Sequence, residues 1–424
     1  MFRLQGRIRP YAWGSPEAIP GLFGYAPAEG PVAEVWFGAH PDCSALIGVG
    51  ADAPLFEPAQ LYPSRAGTEP VTPDAAGSVT GAALLIDYVA AHPTEALGGT
   101  VAAERGGALP YLLKLIAPAQ PLSLQVHPSV AQAEAGFARE EAAGIPRTAR
   151  ERSYRDRNHK PELAFALAPF EALAGFRTVH RIAEILGTLH VPVADRLHGL
   201  LAEVGVAGIF RHLLSAATRP QASEIAQVVT ACERRLARGD SPSPRADRIA
   251  IDIAGRYPND PGVIASLLLN PVSLRPGEAL FIPEGTVHAY LRGIAVEIMA
   301  TSDNVLRAGL TAKHIDVPEL LRIMDDSAAP PIRIAPERMS PEVSTFYAPV
   351  DEFELSSVVL TDATATVRLR SRGPRTLVCL EGATQVFAGG ERVYLNAGQA
   401  LFIPDADGVA ALRGVARVVV ATVP

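Results

Sequence analysis

The stretch 271–293, PVSLRPGEALFIPEGTVHAYLRG, decides the fold that the sequence predicts. It contains two turns, at Pro276-Gly277 and at Pro283-Glu284-Gly285, with an apolar run of four residues between them. Short apolar runs bounded by such turns are typical of β-strands joined by tight corners. The pattern therefore predicts a hairpin of two short strands and places His288 at the start of the second.

Two other segments carry polar residues that can meet His288. In the segment PLSLQVHP, Gln125 and His127 are two residues apart, so an extended strand points both side chains to the same face. In the segment HKPELAFAL, the proline disfavours a helix before it, and the residues after Glu162 are typical of a buried strand. We expect the three segments to converge on one cavity, with two imidazoles, a carboxylate and an amide oxygen.

Bulk composition limits the class of protein. The chain has 424 residues, 48% of them hydrophobic, which is enough for two or three domains with real cores. A net charge of −7 gives no basic surface, so nucleic acid is not an expected partner. Neither a signal peptide nor an apolar run of the roughly 20 residues that a membrane helix needs is evident. Three widely spaced cysteines fit a reducing compartment, so we expect a cytoplasmic protein without membrane contact.

Several polar residues in apolar surroundings have more than one interpretation. Glu34 lies among aromatic residues, and a hydrogen-bonded, partly buried carboxylate beside a Trp is favoured over a catalytic role. His40 is interpreted as structural in the same way. Lys114 lies inside an apolar run, where it either forms a salt bridge to Glu34 or Glu162 or contacts a substrate. The sequence alone leaves that choice open.

The middle of the chain has a different periodicity from its two ends. A segment rich in Ala, Pro, Gly and Ser, at about 50–81, is typical of a loop insertion, and 82–98 has helical spacing. Apolar residues at intervals of three and four then predict a block of helices between two strand-rich regions. The predicted helices are 179–201, 208–217, 222–237 and 247–257, and we assign to their surfaces or edges His180, His190, His198 and His212.

Near the C-terminus the sequence repeats itself. The stretch 394–414 aligns without gaps on 273–293, which predicts a second copy of the same β-fold over about 335–424. Val409 stands where His288 stands in the first copy, and Ala411 where Tyr290 stands. Because the second copy keeps the turns without the histidine, the fold does not need a histidine at that corner. This contrast favours a metal-ligand role for His288.

Taken together, these motifs resemble type I mannose-6-phosphate isomerases. The segments that carry the resemblance, in chain order, are YAWG, EVWFGAHP, SLQVHP, NHKPE, PFEALAGF, PGEALFIP with the following HAY, and ATSDNVLRAGLT. The resemblance covers nearly the whole chain except the insertion and the helical block. It implies a mainly β fold with a helical insertion, built from two cupin-type (jelly-roll) β-barrels and an α-helical domain. The implied domains are a catalytic metal-binding cupin at 1–170 and 263–325, a helical domain at 171–262, and a C-terminal cupin without metal ligands at 326–424.

The resemblance also assigns roles to individual residues. It implies one Zn²⁺ per chain, held by Gln125, His127, Glu162 and His288. Catalytic residues are implied at Arg307, Glu297 and Lys160, and substrate-binding residues at Ser123, Tyr290, Asp303 and Lys313. Two positions depart from the usual family pattern: Leu306 replaces a common Val, and Ala312 replaces a common Pro before Lys313.

The implied reaction is the interconversion of mannose 6-phosphate and fructose 6-phosphate, which serves GDP-mannose and glycan synthesis or mannose catabolism. A proton must move between two adjacent carbons through an enediolate, and Glu297, Lys160 and Lys313 all remain candidate bases. Arg307 suits a phosphate or the enediolate, because its guanidinium stays charged at any working pH. Two alternatives are a non-enzymatic sugar-phosphate-binding cupin and a metal-dependent cupin oxygenase, although the latter usually has a ligand set richer in His. We expect a monomer.

Overall fold

The computed structural model describes residues 1–51, 53, 82–369 and 372–424. The predicted insertion at about 50–81 therefore lies outside the described residues, apart from positions 50, 51 and 53. Within those residues the protein is mainly β, with three sheets whose strands pair antiparallel, together with eleven α-helices.

The three sheets differ in size and in the segments that form them. In spatial order, the seven-stranded sheet contains Ile332–Ile334, Ala279–Ile282, Glu162–Ala166, Ala295–Ala300, Tyr111–Ile116, Glu34–Phe37 and Arg7–Arg9. The strands of the five-stranded sheet, also in spatial order, are Leu269–Leu274, Phe170–Phe176, His288–Arg292, Leu124–Val126 and Leu306–Gly309. The eleven-stranded sheet contains Glu337–Arg338, Val343–Phe346, Glu354–Leu360, Ala411–Thr422, Arg375–Ala388, Ala400–Ile403, Phe2–Gln5, Leu46–Ile47 and Ala83–Leu84, with Val367–Arg368 and Glu391–Asn396 paired beside this path.

The seven- and five-stranded sheets share one apolar cluster. Ala164 and Leu280 from the first sheet pack in it with Ala172 and Tyr290 from the second. Residues one position away, such as Leu163 and Phe165, belong to a different cluster on the outer face. Because side chains alternate between faces along a strand, the two sheets present one face each to a common interior.

The stretch 271–293 forms strands, but not the predicted hairpin. Ala279–Ile282 belongs to the seven-stranded sheet, whereas His288–Arg292 belongs to the five-stranded sheet. The corner between them, with Gly285 at φ 78°, carries the chain from one sheet to the other. His288 does stand at the start of its strand, at an edge of the shared interior.

The alternation of apolar stretches and turns over residues 1 to about 50 also predicts an early strand at Tyr11-Ala-Trp13-Gly14-Ser15, and this prediction is wrong. This segment is a turn, held by backbone hydrogen bonds from Gly14 N–H to the carbonyl of Tyr11 and from Ser15 N–H to the carbonyl of Ala117. A Cβ at Gly14 would overlap the backbone of Ala33, so the turn can approach that strand closely only with glycine.

The helices differ from their predicted bounds. The described helices are Ala18–Leu22, Leu85–Ala91, Pro93–Leu97, Gly99–Glu104, Val130–Ala142, Val179–Gly187, Pro192–Leu214, Ala222–Arg238, Pro244–Ala254, Gly262–Leu267 and Val317–Ile323. The predicted helix 82–98 is thus divided into shorter ones, because Pro93 and Gly98 interrupt it. The predicted helix 179–201 ends at Gly187, and a second helix continues past 201 with a non-helical Gly205.

By length and composition alone, Pro192–Leu214 could cross a membrane, and it is the one such helix among the described residues. We expected no apolar run of the roughly 20 residues that a membrane helix needs, and this helix has 23 residues. Helices in the cores of proteins can have the same length and composition, and the backbone of this one leaves helical geometry at Gly205.

The helical segment does not have a core of its own. Its buried residues, among them Ile209 and Phe210, share one cluster with Leu124, Val126 and Leu306 from the outer face of the five-stranded sheet. Of the four histidines assigned to helix surfaces or edges, three are exposed and His212 is half-buried.

The predicted repeat is visible in the C-terminal strands. Ala400–Ile403 reproduces the sequence and the strand bounds of Ala279–Ile282. The first strand of the chain, Phe2–Gln5, pairs with Ala400–Ile403, and Ile332–Ile334 pairs with Ala279–Ile282. Phe2–Gln5, from the predicted catalytic domain, therefore pairs with a strand of the predicted C-terminal domain. Ile332–Ile334, from the predicted C-terminal domain, pairs with a strand of the predicted catalytic domain.

Candidate metal centre and active site

Strand register brings three predicted site residues into one row. Gln125 lies directly opposite His288 on one side and directly opposite Arg307 on the other. Their neighbours Leu124, Val126 and Leu306 pack in the outer cluster, so this row faces the interior shared by the two sheets.

Glu162 reaches the same place from the opposite sheet. Its Oε1 lies 3.2 Å from Nε2 of His127, and its Oε2 lies 3.4 Å from Nε2 of His288. All three side chains are at most 1% exposed. Tetrahedral bonds of about 2.0–2.1 Å place neighbouring ligand atoms roughly 3.3 Å apart, so this spacing suits a tetrahedral metal.

Both imidazoles offer a free nitrogen to this point. Nδ1 of His127 donates to the backbone carbonyl of Asn304 at 2.9 Å, and Nδ1 of His288 donates to that of Thr286 at 2.9 Å. The buried Nε2 atoms have no hydrogen-bond partner among the residues that the structure describes. Burial also lowers the pKa of His127 to about 4, which keeps its ring neutral near pH 7. His127, Glu162 and His288 can therefore hold a divalent metal ion.

Glu162 has two further polar neighbours. Nζ of Lys160 lies 3.2 Å from its Oε1, and the hydroxyl of Tyr290 donates to its Oε2 at 3.2 Å. Burial opposes ionisation of Glu162, but Lys160 and the imidazoles hold the pKa of its carboxyl well below the usual range. Burial, with Glu297 and Glu162 nearby, raises the pKa of Tyr290 well above its usual value, so its hydroxyl remains a donor.

A chain of buried charges extends from Tyr290 across the seven-stranded sheet. Lys114 forms an ion pair with Glu297, its direct neighbour in register, and lies 3.8 Å from Glu34. The structure thus brings Lys114 to Glu34, one of its two predicted partners, and adds Glu297. Trp36 donates its indole N–H to Glu34, which confirms the interpretation of Glu34 as a buried, hydrogen-bonded carboxylate.

Arg307 faces the interior beside other cations. Burial lowers the pKa of Arg307, and the nearby positive charge of Arg155 lowers it further. Lys313 is exposed, and its pKa is lowered by partial burial and by the nearby charges of Arg307, Arg155 and Arg9. No carboxylate pairs with Arg307 within the described parts of the chain. A guanidinium without a carboxylate partner, beside other cations, suits an anionic ligand such as a phosphate.

Asp303 belongs to a second polar group. Its Oδ1 lies 3.5 Å from Nε2 of His40, and Asp42 donates its backbone N–H to Nδ1 of His40 at 3.1 Å. Burial opposes ionisation of Asp303, but its neighbours, His40 first, lower its pKa to about 2. Ser123 lies half-buried in the loop before the strand Leu124–Val126. Sequence reasoning placed neither His40 nor Asp42 beside Asp303.

Sequence reasoning also missed Asn304, which is fully buried. Its side chain accepts hydrogen bonds from the backbone N–H groups of Arg155 and Asp156 and donates to the backbone carbonyls of Asp156 and Asn158. Its own carbonyl orients His127. One residue therefore fixes both a histidine ligand and the loop that leads to Glu162. The sequence signal was an Asn inside the motif ATSDNVLRAGLT, next to the predicted Asp303.

The chain is similar to known proteins over its whole length. The family model for the catalytic domain of type I phosphomannose isomerase matches residues 49–179. Mannose-6-phosphate isomerases from Shigella flexneri and Escherichia coli K12 are each 37% identical over 423 residues, covering 98% of both chains.

Solved structures agree with the sequence comparison. A lysine-to-alanine variant of phosphomannose isomerase from Salmonella typhimurium superposes with a TM-score of 0.84 at 34% identity, covering 100% of this chain and 99% of that one. A mannose 6-phosphate isomerase bound with zinc and yttrium gives a TM-score of 0.83 at 34% identity with the same coverage. The chain belongs to the type I phosphomannose isomerase family.

Proposed function

We propose that this protein is a zinc-dependent isomerase that interconverts mannose 6-phosphate and fructose 6-phosphate. The observation that carries the proposal is the convergence of two buried, unpartnered Nε2 atoms on the carboxylate of Glu162. Family membership supports the reaction, and one structurally similar isomerase was crystallised with zinc.

The donor set fits zinc in a catalytic site. His127, Glu162 and His288 would hold the ion, with Gln125, in register beside His288, as the fourth ligand. One carboxylate and three neutral ligands leave about one net positive charge, so bound zinc would supply Lewis-acid polarisation of the sugar oxygens. A cysteine-rich set would neutralise that charge.

The chain's own residues would then handle the proton and the negative charge. Arg307, in the same row as Gln125, would stabilise the enediolate or the phosphate by charge-assisted hydrogen bonds. Lys160 and Glu297 are the proposed acid–base residues. Lys160 lies beside Glu162, whereas Glu297 is engaged by Lys114, so the geometry favours Lys160 for contact with substrate.

The remaining proposed roles concern substrate binding. Lys313 would bind phosphate together with Arg307, since its neighbours are cations. Tyr290 would donate from its un-ionised hydroxyl, and Ser123 and Asp303 would bind sugar hydroxyls.

We also propose the cupin description of the fold. The facing seven- and five-stranded sheets support a cupin-type barrel at 1–170 and 263–325. The proposed helical domain at 171–262 would pack its buried residues on the outer face of the five-stranded sheet. The C-terminal cupin, 326–424, would hold no metal. Arg375 there faces Ile403 as Glu162 faces Ile282, and it is fully buried with its guanidinium donating to the carbonyls of Pro404 and Gly408.

The proposal includes a monomeric, cytoplasmic protein. The three cysteines are free, which supports a reducing compartment. A non-enzymatic cupin and a cupin oxygenase are not favoured, because curated relatives along the whole chain are isomerases.

Metal analysis combined with a coupled isomerase assay tests the function. We expect one zinc per chain, loss of activity on chelation and recovery on readdition. His288→Ala should lose metal and turnover together, whereas Arg307→Ala should lose turnover and keep metal. Exchange of the hydrogen on C2 of the sugar with D₂O would identify the base. The exchange should be lost in whichever of the variants Lys160→Met and Glu297→Gln removes it. Full activity after complete zinc removal would contradict the proposal.

A further inference from the structure

A cavity lies in the C-terminal part of the protein. It is separate from the metal group, by which we mean His127, Glu162 and His288. Its volume is about 1510 Å³, and it is lined mainly by strands of the eleven-stranded sheet together with 97–101. Val409, which aligns with His288 in the repeat, is part of its wall. The second copy of the repeat therefore has a cavity at the corner where the first copy has its metal ligands.

Four polar side chains form a compact patch on one wall of this cavity, and we call Thr345, Tyr347, Glu354 and Ser356 the polar patch. Thr345 lies directly opposite Ser356 on the paired strands, and their hydroxyls are 2.8 Å apart. Tyr347 and Glu354 continue the same face toward the mouth, because alternate residues of a strand share a face. Below the patch, Val343 and Val420 line the cavity with apolar surface.

The patch contains an exposed aromatic ring, whose hydroxyl donates to the sulfur of Met339, and a carboxylate without a partner among the described residues. Tyr347 is 42% exposed. Glu354 has no cation or hydrogen-bond donor among the described residues, and burial alone raises the pKa of its carboxyl to about 7. Such a group gains from a ligand that brings its own hydroxyl donors.

The charges around the cavity favour a neutral ligand. Three carboxylates, at Glu342, Glu354 and Asp405, and two guanidinium groups, at Arg368 and Arg372, line it, so the two signs nearly balance. At about 1510 Å³ the cavity is larger than the roughly 300–1,000 Å³ of typical small-molecule sites, so it has room for a monosaccharide.

We propose that this cavity is a binding site for a neutral monosaccharide, separate from the isomerase centre. The C–H face of a pyranose would pack on Tyr347, while Glu354, Ser356 and Thr345 would bond its neighbouring hydroxyls. An aromatic face beside a carboxylate and hydroxyls matches the alternation of apolar and polar faces on a sugar ring.

Saturation-transfer NMR with D-mannose as the probe, on zinc-loaded wild type and on the His288→Ala variant as purified, tests this site. Wild type and His288→Ala should both transfer saturation to mannose, because the proposed site does not involve the metal ligand. Tyr347→Ala and Glu354→Leu should each weaken mannose binding about tenfold. Tyr394→Ala removes a comparably exposed tyrosine outside the cavity and should bind as wild type does.

The outcomes separate this site from the proposed reaction. Tyr347→Ala and Glu354→Leu should keep wild-type isomerase activity, whatever the metal experiments show. Unchanged mannose binding in both variants would overturn the proposal. So would the loss of all mannose binding in His288→Ala, or its absence in wild type at millimolar sugar.

Discussion

At the scale of the residue, the metal group depends on which nitrogen of each imidazole carries the proton. Backbone carbonyls fix the proton on Nδ1 of His127 and His288, so both Nε2 lone pairs point to Glu162. Such outer hydrogen bonds orient ligands and influence metal affinity nearly as much as the ligands do. Asn304 and Thr286 would therefore influence metal binding, although neither would contact a bound ion.

The first prediction concerns Asn304. We expect Asn304→Ala to weaken zinc affinity by roughly 10–100-fold, because the loop before Glu162 and the acceptor for His127 lose their common anchor. Chelator competition measures the affinity. Asn270→Ala is a matched control, since the side chain of Asn270 also donates to several backbone carbonyls but makes no hydrogen bond to His127, Glu162 or His288. The control should lose stability and keep zinc affinity; equal zinc affinity in Asn304→Ala and wild type would contradict the prediction.

The second prediction concerns Lys114, which is 4% exposed between two carboxylates. Lys114→Met should cost on the order of 3–5 kcal/mol of unfolding free energy, because Glu34 and Glu297 would remain buried without a counter-charge. The double variant Lys114→Met/Glu297→Gln should recover part of that loss. Urea denaturation measures the unfolding free energy of the single and the double variant.

Arg333→Met provides the control for an exposed pair. Arg333 pairs with Glu278 at the surface, where the loss should be at most about 1 kcal/mol. A Lys114→Met variant as stable as this control would show that the buried pair does not need its cation.

At the scale of the element, the two copies of the repeat share a corner that only glycine can occupy. Gly293 and Gly414 align in the repeat and have φ values of 122° and 151°. A Cβ on either would overlap a backbone carbonyl of the neighbouring strand, that of Pro169 or of Ala383. The repeat thus preserves strand geometry independently of metal binding.

The third prediction follows from this corner. Gly293→Ala and Gly414→Ala should each lower the unfolding free energy by more than about 1 kcal/mol, through both the backbone conformation and the overlap. Gly199→Ala, in an open helical position, should be neutral or stabilising by up to about 1 kcal/mol. Thermal denaturation of the three variants measures their stabilities. The prediction would be wrong if Gly414→Ala were as stable as Gly199→Ala.

At the scale of the whole molecule, the C-terminal part touches the segments that carry the metal ligands. Nε2 of His159 lies 3.2 Å from Oε1 of Glu352, and its Nδ1 lies 3.3 Å from Oε2 of Glu284. Arg105 also pairs with Glu352, at 2.9 Å. His159 is three residues before Glu162, and Glu284 is four before His288, so this contact joins both ligand-bearing segments to the C-terminal sheet.

The fourth prediction is a pH dependence from this contact. Burial alone would lower the pKa of His159, but Glu284 and Glu352 raise it to about 9. The folded protein therefore holds this proton more tightly than the unfolded chain, whose histidine has a pKa near 6.5. The stabilisation is complete below about pH 6.5 and is lost as the pH rises through about 9.

His159→Gln isolates this contribution from other titrating groups. The difference in denaturation midpoint between wild type and His159→Gln should be largest near pH 6 and should shrink by pH 9.5. A difference that stays constant over this range would show that the charge on His159 does not stabilise the fold.

The sequence by itself indicated the three side chains that the structure brings together as a possible metal site, those of His127, Glu162 and His288. Gln125 and His127 share a strand face because side chains alternate there, and the repeat singled out His288 because its counterpart is Val409. These are local properties, carried by neighbouring residues or by a comparison of two segments. The helix bounds failed after Gly187, where the predicted helix 179–201 is interrupted, and at Pro93, where a new helix begins.

Only the tertiary structure decided how those side chains meet. The two strands of the stretch 271–293 lie in opposite sheets, Asn304 orients a histidine 177 positions away, and Arg375 occupies the place that Glu162 has in the first copy. Each of these facts depends on contacts between segments distant in the chain, and hydrophobic periodicity does not encode which distant partner a strand or a hydrogen-bond donor takes.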